Sequence, residues 1–184
     1  MIALLGGPPP NLEFPASYFL VEIGGADGIA PLTTNLASPN PYVRLWAASA
    51  LAMMGQSNAI DVLRVFMNWS EPWYRLESIV ALAQYKSPEA IELLKLKTAD
   101  HSLAVARAAA AALSGKLTGA LIEALADEDE KVRRGAAFTF LFFNDPEAIP
   151  ALRRACYDKD VETRNAARWA VRRLQRMNGA ELPK

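Results

Sequence analysis

The sequence predicts an all-α protein built as a stack of helical hairpins. Three observations carry that prediction. Similar chemistry recurs about every 31 residues, the composition favours alanine with an unbroken run over residues 108–112, and no stretch of Val, Ile or Thr alternates with polar residues as a half-buried strand would. Alanine has the best helix propensity and the smallest side chain that still packs, so alanine-rich helices approach closely. With 184 residues, 52% of them hydrophobic, the chain suits one domain with a real core, since a chain of this size buries roughly 70% of its unfolded surface.

The repeat runs through the chain. The pairs Val43-Arg44, Tyr74-Arg75, Val105-Ala106, Val132-Arg133 and Thr163-Arg164 fall at spacings of 31, 31, 27 and 31 residues. Ser38, Trp69, Asp100, Asp127 and Asp158 stand before them in a common column, and each pair opens a helix rich in small residues. A shorter second helix follows, with Ile60/Leu63, Ile91/Leu94, Thr118/Leu121 and Ile149/Leu152 aligned. One step back from Arg44 lands on Glu13, so an atypical first repeat is expected over residues 13–37. The fourth unit is about four residues short between Leu113 and Leu121. Gly24-Gly25, Gly55, Gly115 and Asn144 mark the stops of first helices, and Pro88 and Pro146 sit at the tolerated first-turn position of second helices. Each hairpin must stack on its neighbours to bury both faces. The expected layout is an irregular lead-in over 1–12, one repeat domain over 13–177 with about five hairpins and a final capping helix over 160–177, and a tail over 178–184.

The punctuation of Asp, a short turn, Val-Arg, an Ala-rich helix, then Pro-Glu-Ala-Ile and Leu is clearest in DEDEKVRRGAAFTFLFFNDPEAIPAL. It resembles the short HEAT-like repeats of the phycobilisome-lyase type. The resemblance covers nearly all of the chain beyond residue 12 and implies a right-handed α-α superhelix. It is specific for fold and much less so for function, because such repeats occur in bilin lyases, in deoxyhypusine hydroxylases and in many scaffold proteins. The hydroxylases would imply iron-binding His-Glu pairs in several repeats, whereas this chain has one histidine, His101. No metal site and no cofactor are expected, a bilin entering only if the chain is a lyase subunit.

Other chemistry is sparse. One cysteine, Cys156, forms no internal disulfide, so the chain reads as a reduced, cytoplasmic protein. No segment approaches about 20 consecutive apolar residues, so no membrane partner is expected. No nucleophile elbow, Walker loop or dinucleotide glycine motif is present, and no catalytic residue is assigned. The recurring Asp and Arg columns read as helix caps and a ladder between repeats.

Binding surfaces are the better expectation. In such solenoids the second helices line the concave face, which after subtraction of the buried columns leaves Asp61, Arg64, Asn68, Glu92, Lys95, Glu123, Arg153, Arg154 and Tyr157 to meet another protein. Trp69 and Trp73 flank a turn and are candidate anchors. Phe138, Phe140, Phe142 and Phe143 thicken one first helix, too many for a single face to bury. Net charge is zero, yet residues 1–92 hold 4 basic and 8 acidic residues while 93–184 hold 16 and 12. The excess culminates in Arg164, Arg168, Arg172 and Arg176, a stripe at helical spacing on the last helix. It reads first as the polar face of a cap and second as a phosphate contact. The preferred function is a non-enzymatic interaction scaffold, followed by a bilin lyase subunit or phycobilisome-handling factor, and then by nucleic-acid contact through the stripe.

Overall fold

The computed structural model describes residues 25–141 and 143–178. The expected lead-in, the first helix of the first repeat, Gly24, Phe142 and the tail from residue 179 lie outside the described residues. Those described are all helical: α1 (Ile29–Asn35), α2 (Pro41–Met53), α3 (Ile60–Phe66), α4 (Pro72–Tyr85), α5 (Pro88–Lys97), α6 (Leu103–Ser114), α7 (Leu117–Ala124), α8 (Glu130–Thr139), α9 (Ile149–Ala155) and α10 (Val161–Met177). Short 3-10 turns at Gly25–Gly28, Ser57–Ala59 and Pro146–Ala148 lead into α1, α3 and α9. Four hairpins, α2/α3 through α8/α9, follow α1, and α10 closes the series.

Local chemistry sets the helix ends. Asn40, Ser87, Asp129 and Asp160 each accept a hydrogen bond from a first-turn amide, at 3.0, 3.0, 2.9 and 2.8 Å, satisfying donors that the helix leaves free. Gly55 and Gly115 follow α2 and α6 with φ of +74° and +73°, a left-handed turn that a side chain resists. Lys86 makes the same turn after α4 without a glycine, at φ +55°. Helix α8 stops at Thr139, ahead of the expected stop at Asn144, and Phe140 and Leu141 continue into the core as turn residues.

The arginine column fastens successive turns. Arg75 Nη1 donates to the carbonyls of Trp69 and Ser70 at 2.7 and 2.8 Å, and its Nη2 donates to Asp100 at 3.1 Å. Arg133 repeats the pattern, reaching the Asp127 and Glu128 carbonyls at 2.8 and 2.9 Å and gripping Asp158 with two bonds of 2.7 and 3.1 Å. Arg44 and Arg164 make the two carbonyl contacts alone. One side chain thus holds the end of the preceding second helix and the turn of the next repeat. Beside this ladder, Arg134 grips Asp160. Burial works to raise the Asp160 pKa, but Arg134 and the hydroxyl and amide of Thr163 outweigh it and bring the carboxyl down to about 2.

The short fourth unit has a consequence beyond local trimming. In a regular array α6 would separate α4 from α8. Here α8 packs directly on α4, the most extensive helix contact among the described residues, and α2, α4, α8 and α10 form one row. Every residue of α4 from Pro72 to Leu82 is buried. Trp73 and Phe138 meet across this contact, ring centroids 6.0 Å apart, and Trp46 approaches Phe138 at the same distance. Phe140 is wholly buried and Phe143 half-buried, so both serve the core.

Close approach requires Gly135. A Cβ there would stand 2.5 Å from Trp73 Cβ and 2.7 Å from its Cα, and because that neighbour is backbone the helices must separate to admit it. Gly135→Ala is expected to lower stability by about 1–3 kcal/mol in denaturant unfolding. An unchanged midpoint would show that α8 does not sit against α4.

Candidate functional site: an arginine-lined cleft

Helices α2, α4 and α8 are largely buried, and the second helices lie beside them with one face to solvent. Helices α3, α5, α7 and α9 each bury a single stripe, for example Ile60, Leu63 and Phe66 in α3, and turn the remainder to solvent. The row expected to meet a partner therefore lies on the solvent-exposed side of the second helices.

Much of that row is already paired, within itself or with neighbouring side chains. Arg64 pairs with Asp61 at 3.1 Å and with Glu89 in the first turn of the next second helix. Asn68 accepts from Lys97 at 3.1 Å, Glu92 pairs with Lys95 at 2.6 Å, and Glu123 with Arg107 at 3.4 Å. Such exposed pairs contribute at most about 1 kcal/mol each. Arg153, Arg154 and Tyr157 on and after α9 are exposed, Tyr157 at 88%. Trp73 is 6% exposed, stacked on Tyr42, and offers no surface to a partner. Trp69 is half-buried against Phe66 and Tyr74, with centroids 4.9 and 5.2 Å away.

The terminal stripe divides. Arg164 is engaged by the carbonyls of Asp158 and Lys159. Arg168, Arg172 and Arg176 instead join Arg153 around a cleft of about 650 Å³ between α9 and α10, completed by Cys156, Val171 and Gln175. Two sets of residues that the sequence offered as separate surfaces thus converge. Arg168 donates to the Cys156 carbonyl at 3.5 Å, and Arg172 lies 5.9 Å from the Trp169 ring centre. Among the described residues, no carboxylate lines the cleft.

The lining has the chemistry to hold an anion. Burial pushes the Cys156 thiol up, although Arg168, Arg153 and Arg172 pull the other way, so the sulfur stays protonated at neutral pH. Four guanidinium groups facing one concavity concentrate positive potential and present planar donors to carboxylate or phosphate. Elsewhere, Asp100 is wholly enclosed; burial would raise its pKa, but the Ser102 amide and Arg75 prevail and lower it. His101 is 80% exposed, 3.0 Å from Arg75 Nη2. Among the described residues no His, Cys, Asp and Glu gather as a metal site, and no helix is long and apolar enough to cross a membrane.

The comparisons with known proteins address the fold. Human deoxyhypusine hydroxylase, in complex with glycerol, is 23% identical over 87% of this chain and 66% of its own length, with a TM-score of 0.49. The Escherichia coli protein YibA is 24% identical over 89% of this chain and 66% of its own, at 0.43. An engineered protein is 19% identical over 92% of both chains, at 0.39. The chain thus spans 66% of each of the first two. No curated protein sequence matches it significantly. The profile described as HEAT repeats matches residues 29–114 and 118–181, breaking only at the shortened turn between α6 and α7, and the chain belongs to the HEAT-repeat family.

Proposed function

We propose that the protein is a non-enzymatic interaction scaffold that binds an acidic partner protein on its carboxyl-terminal outer face, in a cytoplasmic setting. The observation that carries this reading is an imbalance. The charges of α3, α5 and α7 are largely answered by neighbouring side chains, whereas Arg153 and Arg154 stand exposed at an arginine-lined cleft whose lining, among the described residues, holds no carboxylate. The ion pairs between repeats support it, because Arg75, Arg133 and the partly exposed Arg134 are committed to holding repeats together. A basic surface of this kind steers an acidic partner and fixes its orientation.

The test is crosslinking capture from the source cells, comparing the wild type with an Arg153→Glu/Arg154→Glu/Tyr157→Ala variant of unchanged helicity and melting temperature. Loss of the crosslinked partners is expected. Retention of every partner would remove this face from the function. The bilin-lyase reading rests on the repeat resemblance alone, and a mixture with phycocyanobilin and apo-phycobiliprotein that shows no absorbance shift and no attachment ends it.

A further inference from the structure

The α9/α10 cleft has a counterpart in the chain's own architecture. In the preceding hairpins a second helix packs on its first helix, α3 on α2 and α5 on α4, and side chains link it to the second helix before it. Arg64 of α3 reaches Glu89 in the first turn of α5, and Asn68, just after α3, meets Lys97 at the end of α5. A helix placed along α10 and beside α9 would occupy the cleft in the same manner. Arg153 stands in the Arg64 column, one residue after Leu152 as Arg64 follows Leu63. It is therefore poised to take an acid from the first turn of such a helix, as Arg64 takes Glu89.

The lining of α10 states the chemistry of the occupant. The column of Leu51 and Leu82, both fully buried, continues as Val171, so the groove keeps an apolar floor. The flanking columns change character. Where α2, α4 and α8 place buried Ala48, Ile79 and Ala137, α10 has Arg168, and where α2 and the turn after α8 place buried Ala52 and Leu141, it has Arg172. Arg168, Arg172 and Arg176 climb one side a turn at a time, about 6 Å apart along the axis, which matches carboxylates at every fourth residue of a facing helix.

We propose that this groove is a docking seat for an amphipathic helix of another protein, acidic in its first turn and along one face, with a narrow apolar stripe set on Val171 and Cys156. The proposal deepens the scaffold reading and rests on it. It defines the partner by register as well as by charge, and follows the helix-in-groove mode of recognition.

The test is fluorescence anisotropy on the full chain with three probes. The first is a short helix-forming peptide with Glu at every fourth position and Leu alongside, the second is a peptide of the same composition in scrambled order, and the third is a single-stranded oligonucleotide of matching charge. The registered peptide is expected to bind about tenfold more tightly than either, and Arg168→Ala/Arg172→Ala to weaken it by about tenfold while Lys116→Ala, an exposed cation in the turn between α6 and α7 and outside the cleft, changes it less than about twofold. Equal binding of the scrambled peptide overturns the seat in favour of diffuse attraction. Tighter binding of the oligonucleotide overturns it in favour of a nucleic-acid surface. No binding by any probe, or an unaffected double variant of intact fold, overturns it as well. If cellular partners still crosslink to Arg168→Ala/Arg172→Ala but are lost from the variant at Arg153, Arg154 and Tyr157, the groove fails and the scaffold stands.

Discussion

Arg75→Ala is expected to cost about 3–5 kcal/mol of folding stability, since it removes one partner of a buried ion pair and leaves the other behind. Both side chains of the Arg75–Asp100 pair are 2% exposed. The guanidinium also serves the Trp69 and Ser70 carbonyls, which lose its donors on truncation. Lysine is a poor replacement, because a single ammonium lacks the planar fork that serves two carbonyls and a carboxylate together. The check is chemical denaturation of Arg75→Ala, Asp100→Asn and the double variant. The double variant is expected to lose less than the sum of the singles, because the neutral amide introduced by Asp100→Asn leaves no stranded charge once the guanidinium is gone. A loss under about 1 kcal/mol for Arg75→Ala would place the pair among weak surface contacts and remove the ladder as a source of stability.

Glu77→Gln is expected to stabilise the protein above neutral pH. Glu77 is buried in α4, and the hydroxyls of Ser49 in α2 and Thr139 in α8 face it. Glu77 Oε2 and both hydroxyl oxygens lack a well-formed hydrogen bond. Burial dominates and pushes the carboxyl up to about 7, against the smaller lowering effect of the two hydroxyls. A folded-state pKa above the unfolded value of 4.5 means that the folded protein keeps a proton the unfolded chain gives up. Stability from this group is therefore full below pH 4.5 and falls as pH rises to about 7, by on the order of 3 kcal/mol. The lowered aspartates act oppositely: their contribution is present above the ordinary aspartate pKa and disappears in acid, for Asp160 as pH falls towards about 2. Wild type should thus be more stable near pH 5 than near pH 8. Unfolding curves for Glu77→Gln should show that decline largely abolished. Parallel declines in both proteins would mean that Glu77 is ionised in the fold.

The architecture was legible because the repeat is written in chemistry that local structure must obey. Val-Arg columns, an Asp before the helix and proline in the first turn each satisfy a defined backbone need, and they foretold the ladder from Arg75 to Asp100 and from Arg133 to Asp158. What escaped was the response to the shortened fourth unit. The deletion is visible between Leu113 and Leu121, yet nothing local says that α8 will move onto α4. Gly135 carries that information in its missing side chain, and Glu77 in its position on a helix enclosed on every side. The cleft was half legible. Arg153 and the Arg168/Arg172/Arg176 stripe were both evident, but their convergence depends on the packing of α9 against α10.

In a repeat array whose units touch only their neighbours, unfolding can start at either end and travel inward one unit at a time. The α4–α8 contact changes that order. It bypasses the fourth unit and ties Glu71 to Lys131, 60 positions apart in sequence. The inner hairpins then cannot come apart in series, because releasing α8 also exposes α4. The two sides of this contact are expected to melt together as one cooperative body, and folding must first close a long loop before its central contact can form.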